Sequence, residues 1–223
     1  VYEGKHIEQF LVGIQPIRWW LSLEQSQRKY GNLPINGPTL VFRQVSSNTN
    51  ERTLVSAVVP VHSVAANTLT GFHLPTVSPD VAATVLNSLP FDWALRLRTA
   101  GTHVANTYLE PMPVPSHEHA TKLPPIPTQL AWESGKRHIT EERSTWPLLW
   151  AANRALTQAY GLGPADFEHI LASFPVFARK RPAFFSYLLS RLSEWANEMI
   201  PAAKLRVAEN EAGRYQIRPQ EES

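Results

Sequence analysis

Apolar and β-branched residues gather in two short runs within the first third of the chain. Thr39-Leu40-Val41-Phe42-Arg43-Gln44-Val45 and Thr53-Leu54-Val55-Ser56-Ala57-Val58-Val59 predict two strands. Between them lies Ser46-Ser47-Asn48-Thr49-Asn50-Glu51-Arg52, whose side chains compete for backbone hydrogen bonds, which predicts the loop of a hairpin. Ser78-Pro79-Asp80 supplies a cap, a proline for the first turn and an acid, so a helix starts there, with Val81, Val85 and Leu86 at helical spacing. A second helix follows Pro90, where Phe91, Leu95 and Arg98 share a face, and Gly101 is placed to stop it. Thr102 to Leu109 reads as a further strand-like piece.

Later in the chain the period becomes helical. Trp146 to Tyr160 ends at Gly161, Gly163-Pro164-Ala165-Asp166 opens a short helix through Leu171, and a third helix runs from about Pro182 to Met199. Phe185, Leu188, Leu189, Leu192 and Trp195 form an apolar stripe there, a core face rather than a cofactor site. Pro111, Pro113, Pro115, Pro124, Pro125 and Pro127 separate the two patterned regions. The predicted class is α+β: a mixed sheet with flanking helices over residues 1–115, a Pro-rich and polar linker over 116–143, a helical C-terminal part over 144–200 and a polar tail over 201–223.

Composition changes this picture mainly by exclusion. A chain of 223 residues that is 43% hydrophobic and only 18% charged can bury a core, so bulk disorder and coiled coil fit poorly. The net charge of +2 is too small to indicate nucleic acid by electrostatics alone. The lack of Cys removes disulfides, thiolate zinc sites and thiol nucleophiles, and is compatible with a reducing cytoplasm. The longest apolar stretches, Leu54 to Val61 and Ala183 to Leu189, fall far short of the roughly 18 to 20 residues that span a bilayer, so no membrane partner is expected. The segment after Val1 is polar and unlike a signal peptide, and the chain is expected to be a piece of something longer.

Common catalytic signatures are missing from the sequence: it has no Gly-x-Gly-x-x-Gly, no phosphate-binding loop and no Gly-x-Ser-x-Gly elbow. His117-Glu118-His119 would put two imidazoles on one side of an extended segment, but no third metal ligand is identifiable. Glu3-Gly4-Lys5 has the Glu-x-Lys form of many restriction-nuclease metal sites, where carboxylates hold Mg²⁺ and the lysine polarises a water. Only two residues precede Glu3 and neither is acidic, so that motif lacks its context.

Four ordered stretches resemble one family. Tyr2-Glu3-Gly4-Lys5-His6-Ile7-Glu8-Gln9-Phe10 is similar to the Tyr-Glu-Gly-Lys-x-Ile-x-Gln-Phe opening of the C-terminal target recognition (TaqI-like specificity) domain in type IIG restriction-modification and related phage-defence adenine methyltransferases. Phe42-Arg43-Gln44-Val45 with Thr49-Asn50-Glu51-Arg52-Thr53 resembles their Arg followed by Thr-Asn-x-Arg-Thr. Asn87-Ser88-Leu89, Phe91-Asp92, Leu95-Arg96, Gly101-Thr102-His103 and Pro113-Val114-Pro115 resemble their next segment, and Tyr160-Gly161-Leu162 with His169 to Pro175 resembles their closing helix pair. The likeness covers most of residues 1 to 175 and rests on order. It departs after Phe10, where the family often has Asp and this chain has Leu11-Val12, followed by an insertion from Trp19 to Gln27.

The resemblance implies a domain that grips duplex DNA and selects the site. An upstream domain of the same polypeptide would bind S-adenosylmethionine and methylate an adenine amino group, with restriction or defence subunits as further partners. The Asn-Pro-Pro-Tyr motif that holds a flipped adenine does not occur in this chain, so it is expected to bind no cofactor and to contain no catalytic residue. The candidate DNA-binding residues are Lys5, Arg43, Gln44, Asn48, Asn50, Arg52, Arg96, Arg98, Thr102 and His103. Arg reads guanine and Asn or Gln reads adenine in the major groove, whereas Lys5 would hold phosphate. Arg96 and Arg98 lie two apart on a predicted helix, so only one is expected to reach DNA. Arg179-Lys180-Arg181 is a compact basic cluster that could also meet the backbone. The competing reading is a non-catalytic protein-interaction scaffold in a defence complex, served by the seven tryptophans. A DNA reader should present Lys5, Arg43, Arg52 and either Arg96 or Arg98 on one concave face, whereas a scaffold would scatter them.

Overall fold

A 3-10 turn at Gly4–His6 leads into β1 (Ile7–Glu8), which reverses through Gln9 and Phe10 and returns antiparallel as β2 (Leu11–Val12). Phe10 holds a left-handed backbone with φ 58°, which costs a residue with a side chain about 1–2 kcal/mol. The surroundings offset that cost. The Phe10 amide donates to the Ser56 carbonyl at 3.1 Å, its own carbonyl accepts from the Gln129 amide at 2.8 Å, and its ring is buried in the main core. The computed structural model describes residues 1–30, 38–47, 49–72, 77–99 and 101–215, and side chains for all of these except Tyr30, Trp132 and residues 200–215.

After α1 (Leu23–Tyr30), β3 (Thr39–Arg43) and β4 (Ser56–Val59) pair antiparallel with Thr39 opposite Val59, and β5 (Leu69–Gly71) pairs with the other edge of β3. Both strands are shorter than the apolar runs predict. Val45 leaves the ladder to bridge His103, and the Thr53 and Leu54 amides bond the Asp92 carboxylate instead of a strand partner. Alternation along the sheet then sorts its side chains. Leu40, Phe42 and Val58 face the main core, whereas Val41, Ala57 and Val59 face a smaller cluster with Tyr2, Ile7, Val12 and Leu69.

The helix starts follow their caps. In α2 (Pro79–Leu86) the Ser78 hydroxyl accepts from the Val81 amide, and in α3 (Leu89–Arg96) Ser88 caps in the same way with Pro90 in the first turn. That second helix ends at Arg96, before Gly101, and Thr102 to Leu109 is not a strand. Only His103 pairs, with Val45, and α4 (Asn106–Leu109) is a single helical turn that seats Leu109 in the core.

The expected linker is structured. It carries α5 (His117–Ala120), β6 (Gln129–Leu130), α6 (Ala131–Ser134) and 3-10 turns at Ile139–Glu141 and Arg143–Thr145. β6 pairs parallel with β2, which completes a sheet of order β1-β2-β6. The prolines break helices there, but Leu123, Ile126 and Ile139 between and beyond them are buried in the main core and fix the path. Then come α7 (Trp146–Ala159), α8 (Pro164–Ala172), α9 (Pro175–Lys180) and α10 (Pro182–Tyr215). Gly161 adopts φ 73° past the end of α7, the left-handed stop its sequence predicts. The buried stripe of α10 is Phe184, Leu188, Leu192 and Trp195, while Leu189 is 42% exposed, and the helix continues through the start of the expected polar tail to Tyr215.

The result is an α+β fold with one dominant core shared by both patterned regions. Phe42, Leu54, Leu86 and Phe91 pack in the same cluster as Trp150, Phe167, Phe177, Leu188 and Trp195. Asn153 ties the regions further, its side-chain oxygen accepting from the Leu89 amide at 2.7 Å. Leu188→Ala should therefore cost about 2–5 kcal/mol, and urea unfolding followed by tryptophan fluorescence and by far-ultraviolet dichroism should give coincident curves. Two separated transitions, only one of them shifted by the substitution, would contradict a shared core.

Candidate functional site

The motif residues of the N-terminal region converge on a buried carboxylate. Asp92 has no exposed surface and accepts from Arg52 Nε at 2.6 Å, from the Thr53 amide at 3.1 Å and from the Leu54 amide at 3.2 Å. Arg52, 7% exposed, also donates to the carbonyls of Asn87 and Ser88 at 2.7 and 3.0 Å, and reaches Gln9 Oε1 at 3.4 Å. Asn87 closes the network on both sides: its Oδ1 accepts from the Ser56 amide and its Nδ2 donates to the Ser56 carbonyl. Phe174 and Phe177 lie 5.6 and 6.0 Å from the Arg52 guanidinium. Arg52 is thus not a base reader. A guanidinium with carboxylate and carbonyl acceptors on its donors is a structural post.

Arg96 is also occupied. It stacks on Phe174 at 4.0 Å and donates to the carbonyls of Asn50 and Glu51 at 3.0 Å, and to that of Ser173 at 3.4 Å. Arg43 donates from Nε to the Gly4 carbonyl at 2.9 Å, bonds the Ile7 carbonyl, and lies 3.8 Å from Glu8. Gly4 permits this approach, since a Cβ there would stand 3.2 Å from Arg43 Cγ and 3.3 Å from the Thr68 carbonyl. Lys5 is exposed but paired with Glu3 at 2.5 Å, and that ammonium holds the Glu3 carboxyl below its usual value. The concave face of Lys5, Arg43, Arg52 and Arg96 expected of a reader therefore does not form: two of the arginines face inward and the third serves the backbone.

What the fold does bring together is an exposed polar edge. The Ser46 amide donates to the Thr102 carbonyl, Val45 bridges His103, and the Val104 amide donates to the Gln44 carbonyl. Thr102 and His103 are exposed at this junction, Asn50 and Arg98 are exposed elsewhere in the two loops, and Gln44 sits at the root of the junction with its amide on Thr70 Oγ1. Asn48 lies outside the described residues.

Glu51 anchors the loop to the helical region. It is 12% exposed and pairs with Arg181 Nε at 2.8 Å, with Lys180 Nζ 4.0 Å away. His138 Nε2 approaches Glu51 Oε1 at 3.4 Å, while its Nδ1 accepts from the Thr140 amide at 3.2 Å. Burial first, then Arg181, Arg52 and Lys180, push the His138 pKa down to about 3, so a neutral imidazole with its proton on Nε2 makes this contact. Sequence reading did not single out Glu51 or His138.

Neither metal motif has the geometry it needs. His117 and His119 stand on a helical turn, where residues two apart do not share a face, and Glu118 pairs with Lys122 at 2.7 Å. Glu3 and Lys5 line an open cleft of about 640 Å³ with Glu8 and Arg43, and burial raises the Glu8 carboxyl against the opposing pull of Arg43. Among the described residues no group of three or more His, Asp or Glu side chains is placed to hold a metal ion. A second cleft of about 750 Å³ is apolar, lined by Val1, Ile17, Trp20, Leu21, Leu23 and Val61 among others, and Trp20 is 80% exposed.

Comparison with known proteins gives no relative: no family model, no curated protein and no solved structure matches this chain. Among the described residues no helix is long and apolar enough to cross a membrane.

Two outcomes follow from the buried charges. Arg52→Ala removes the cation hydrogen-bonded to the buried Asp92 carboxylate, leaving Arg96 Nε 3.9 Å away, and should cost about 3 kcal/mol in urea unfolding. Loss of specificity at full stability would instead place Arg52 at a ligand. His138 binds its proton near pH 3 when folded and near 6.5 when unfolded, so between these values the unfolded chain holds more protons. Its contribution is complete above pH 6.5 and is lost as pH falls, by at most about 1.4 kcal/mol per pH unit. The stability of His138→Gln should fall less between pH 7 and pH 4 than that of the parent, and parallel pH profiles would contradict the assignment.

Proposed function

We propose that this chain is the DNA target-recognition portion of an adenine-specific N6 methyltransferase from a restriction-modification or phage-defence system. The observation that carries the reading is the meeting of residues from separate resemblance motifs. Gln9, Arg52, Thr53, Asn87, Ser88 and Asp92 come from three stretches of sequence and belong to one buried network. Pro113 and Tyr160, from the third and fourth stretches, join by a hydrogen bond of 2.9 Å from the Tyr160 hydroxyl. The side-chain contacts within the network, Arg52 with Asp92 and Gln9 and Gln9 with Asn87, support reading the motifs as parts of one platform. Asn50, Arg98, Thr102 and His103 are left exposed, a set able to hydrogen-bond base edges and phosphates.

In this reading the cofactor and the catalytic residues belong to an upstream domain, and duplex DNA is the ligand of this one. A second reading, a protein-interaction scaffold, is favoured by one observation, the exposed Trp19, Trp20, Leu21 and Leu23 beside the apolar cleft.

The chain should bind duplex DNA with an affinity that falls at least roughly tenfold between 50 and 200 mM salt if two or more phosphates are contacted. In the intact methyltransferase, Asn50→Ala should cost about 1–3 kcal/mol on the preferred site and relax one base position. Gel-shift titrations and methylation of singly altered sites measure both. No binding at low salt would favour the scaffold, and equal losses on every site would make the loop a backbone clamp.

A further inference from the structure

We infer that Arg179 and Lys180, at the corner between α9 and α10, form a phosphate clamp beside the exposed loop, so that both halves of the chain grip one duplex. The inference rests on the DNA-binding reading and adds residues from a region that the resemblance gives no part in recognition.

The basic triplet is divided by the fold. Arg181 is spent internally: it donates to Glu51 Oε1 at 2.8 Å and lies 4.0 Å from Glu141. Lys180 has a side chain 56% exposed and only a 4.0 Å approach to Glu51, and Arg179 is exposed with no ion pair among the described residues. The Glu51 pair fixes where these two cations stand, because Glu51 adjoins Asn50 and its carbonyl, like that of Asn50, is held by Arg96. Arg96 in turn bonds the Ser173 carbonyl just before α9. Loop and corner are thus joined at both ends of α9.

The charge of the corner favours an anion. Three cations, Arg179, Lys180 and Arg181, stand there against two carboxylates, Glu51 and Glu141, which leaves one positive charge in excess, presented outward by Arg179 and the exposed Lys180. α10 begins in the same corner, has no acid in its first turn, and adds the partial positive charge of its N-terminus. An exposed guanidinium and ammonium set beside a loop of hydrogen-bonding residues suit a polyanion whose phosphates flank the bases being read.

The test is a salt titration of the full chain on duplex DNA, comparing the parent with Arg179→Gln/Lys180→Gln and with Lys122→Gln, whose exposed lysine is already paired with Glu118. The double substitution should lower the slope of log affinity against log salt by about two units. It should also weaken binding to preferred and altered sequences by the same factor, while Lys122→Gln leaves the slope unchanged. Parent-like slope in the double variant, with the parent still binding, would overturn the clamp and leave the DNA reading standing. A slope change in Lys122→Gln half as large as that in the double variant, or larger, would overturn it too, since the effect would then scale with the net charge removed. Failure of the parent to bind at low salt would overturn the DNA reading and the clamp with it. Dichroism spectra of the variants matching the parent show that both exposed sites were altered without unfolding.

Discussion

The Asp92 carboxylate is the constraint on which the rest of the structure depends. It lies in the interior with a single arginine at hydrogen-bonding distance, and two backbone amides of an irregular strand entrance complete its shell. A buried charge of this kind is tolerated only when its acceptors are filled. Filling them fixes the chain in several places at once: Arg52 must turn inward, Thr53 and Leu54 must leave the β ladder, and α3 must present its first turn to the sheet. Asn87 repeats the device one turn earlier, matching both backbone groups of Ser56.

This network explains why residues so far apart in sequence behave as a set. The polar motifs that resemble a DNA-recognition family are mostly interior, so their first consequence is architectural. They build a stiff post between the three-stranded sheet and α3, and Phe174 and Phe177 cover the Arg52 end of it from the helical region. A loop mounted on such a post has a fixed exit, and Arg96 and Arg181 hold its far end through the Asn50 and Glu51 carbonyls and the Glu51 carboxylate. Rigid support lowers the ordering cost that an exposed loop would otherwise incur on binding.

The helical region is accordingly no appendage. It supplies 13 of the 31 buried residues described for the main core, the aromatic cover over Arg52 and the cation that neutralises Glu51. His138, from the segment read as linker, sits between Glu51 and the core as a neutral donor. The proline-rich stretch serves this arrangement by breaking helices at short intervals while its apolar residues dip into the interior.

Much of the local structure was legible from residues alone, because it depends on neighbours in the chain. Ser78 with Pro79 and Ser88 with Pro90 start helices through capping chemistry that acts over three residues, and Gly161 stops one through its freedom to adopt positive φ. The pair β3 and β4 followed from two β-branched runs around a polar gap. The fate of each charged side chain was not legible, since it depends on partners remote in sequence: Asp92 stands 40 residues from Arg52, and Glu51 stands 130 from Arg181. Hydrophobic pattern placed the stripe of α10 within a residue or two, but only packing decided that Phe184 goes in and Leu189 stays out. Sequence determined the helix starts at Ser78 and near Pro90, the stop at Gly161 and the pairing of β3 with β4, while Thr102 to Leu109 and the proline-rich stretch took their form from tertiary contacts. Tertiary structure decided that Arg52 and Arg96 serve the interior while Asn50, Thr102, His103 and Lys180 face outward, because burial of a charge is settled by the whole set of partners the fold assembles around it.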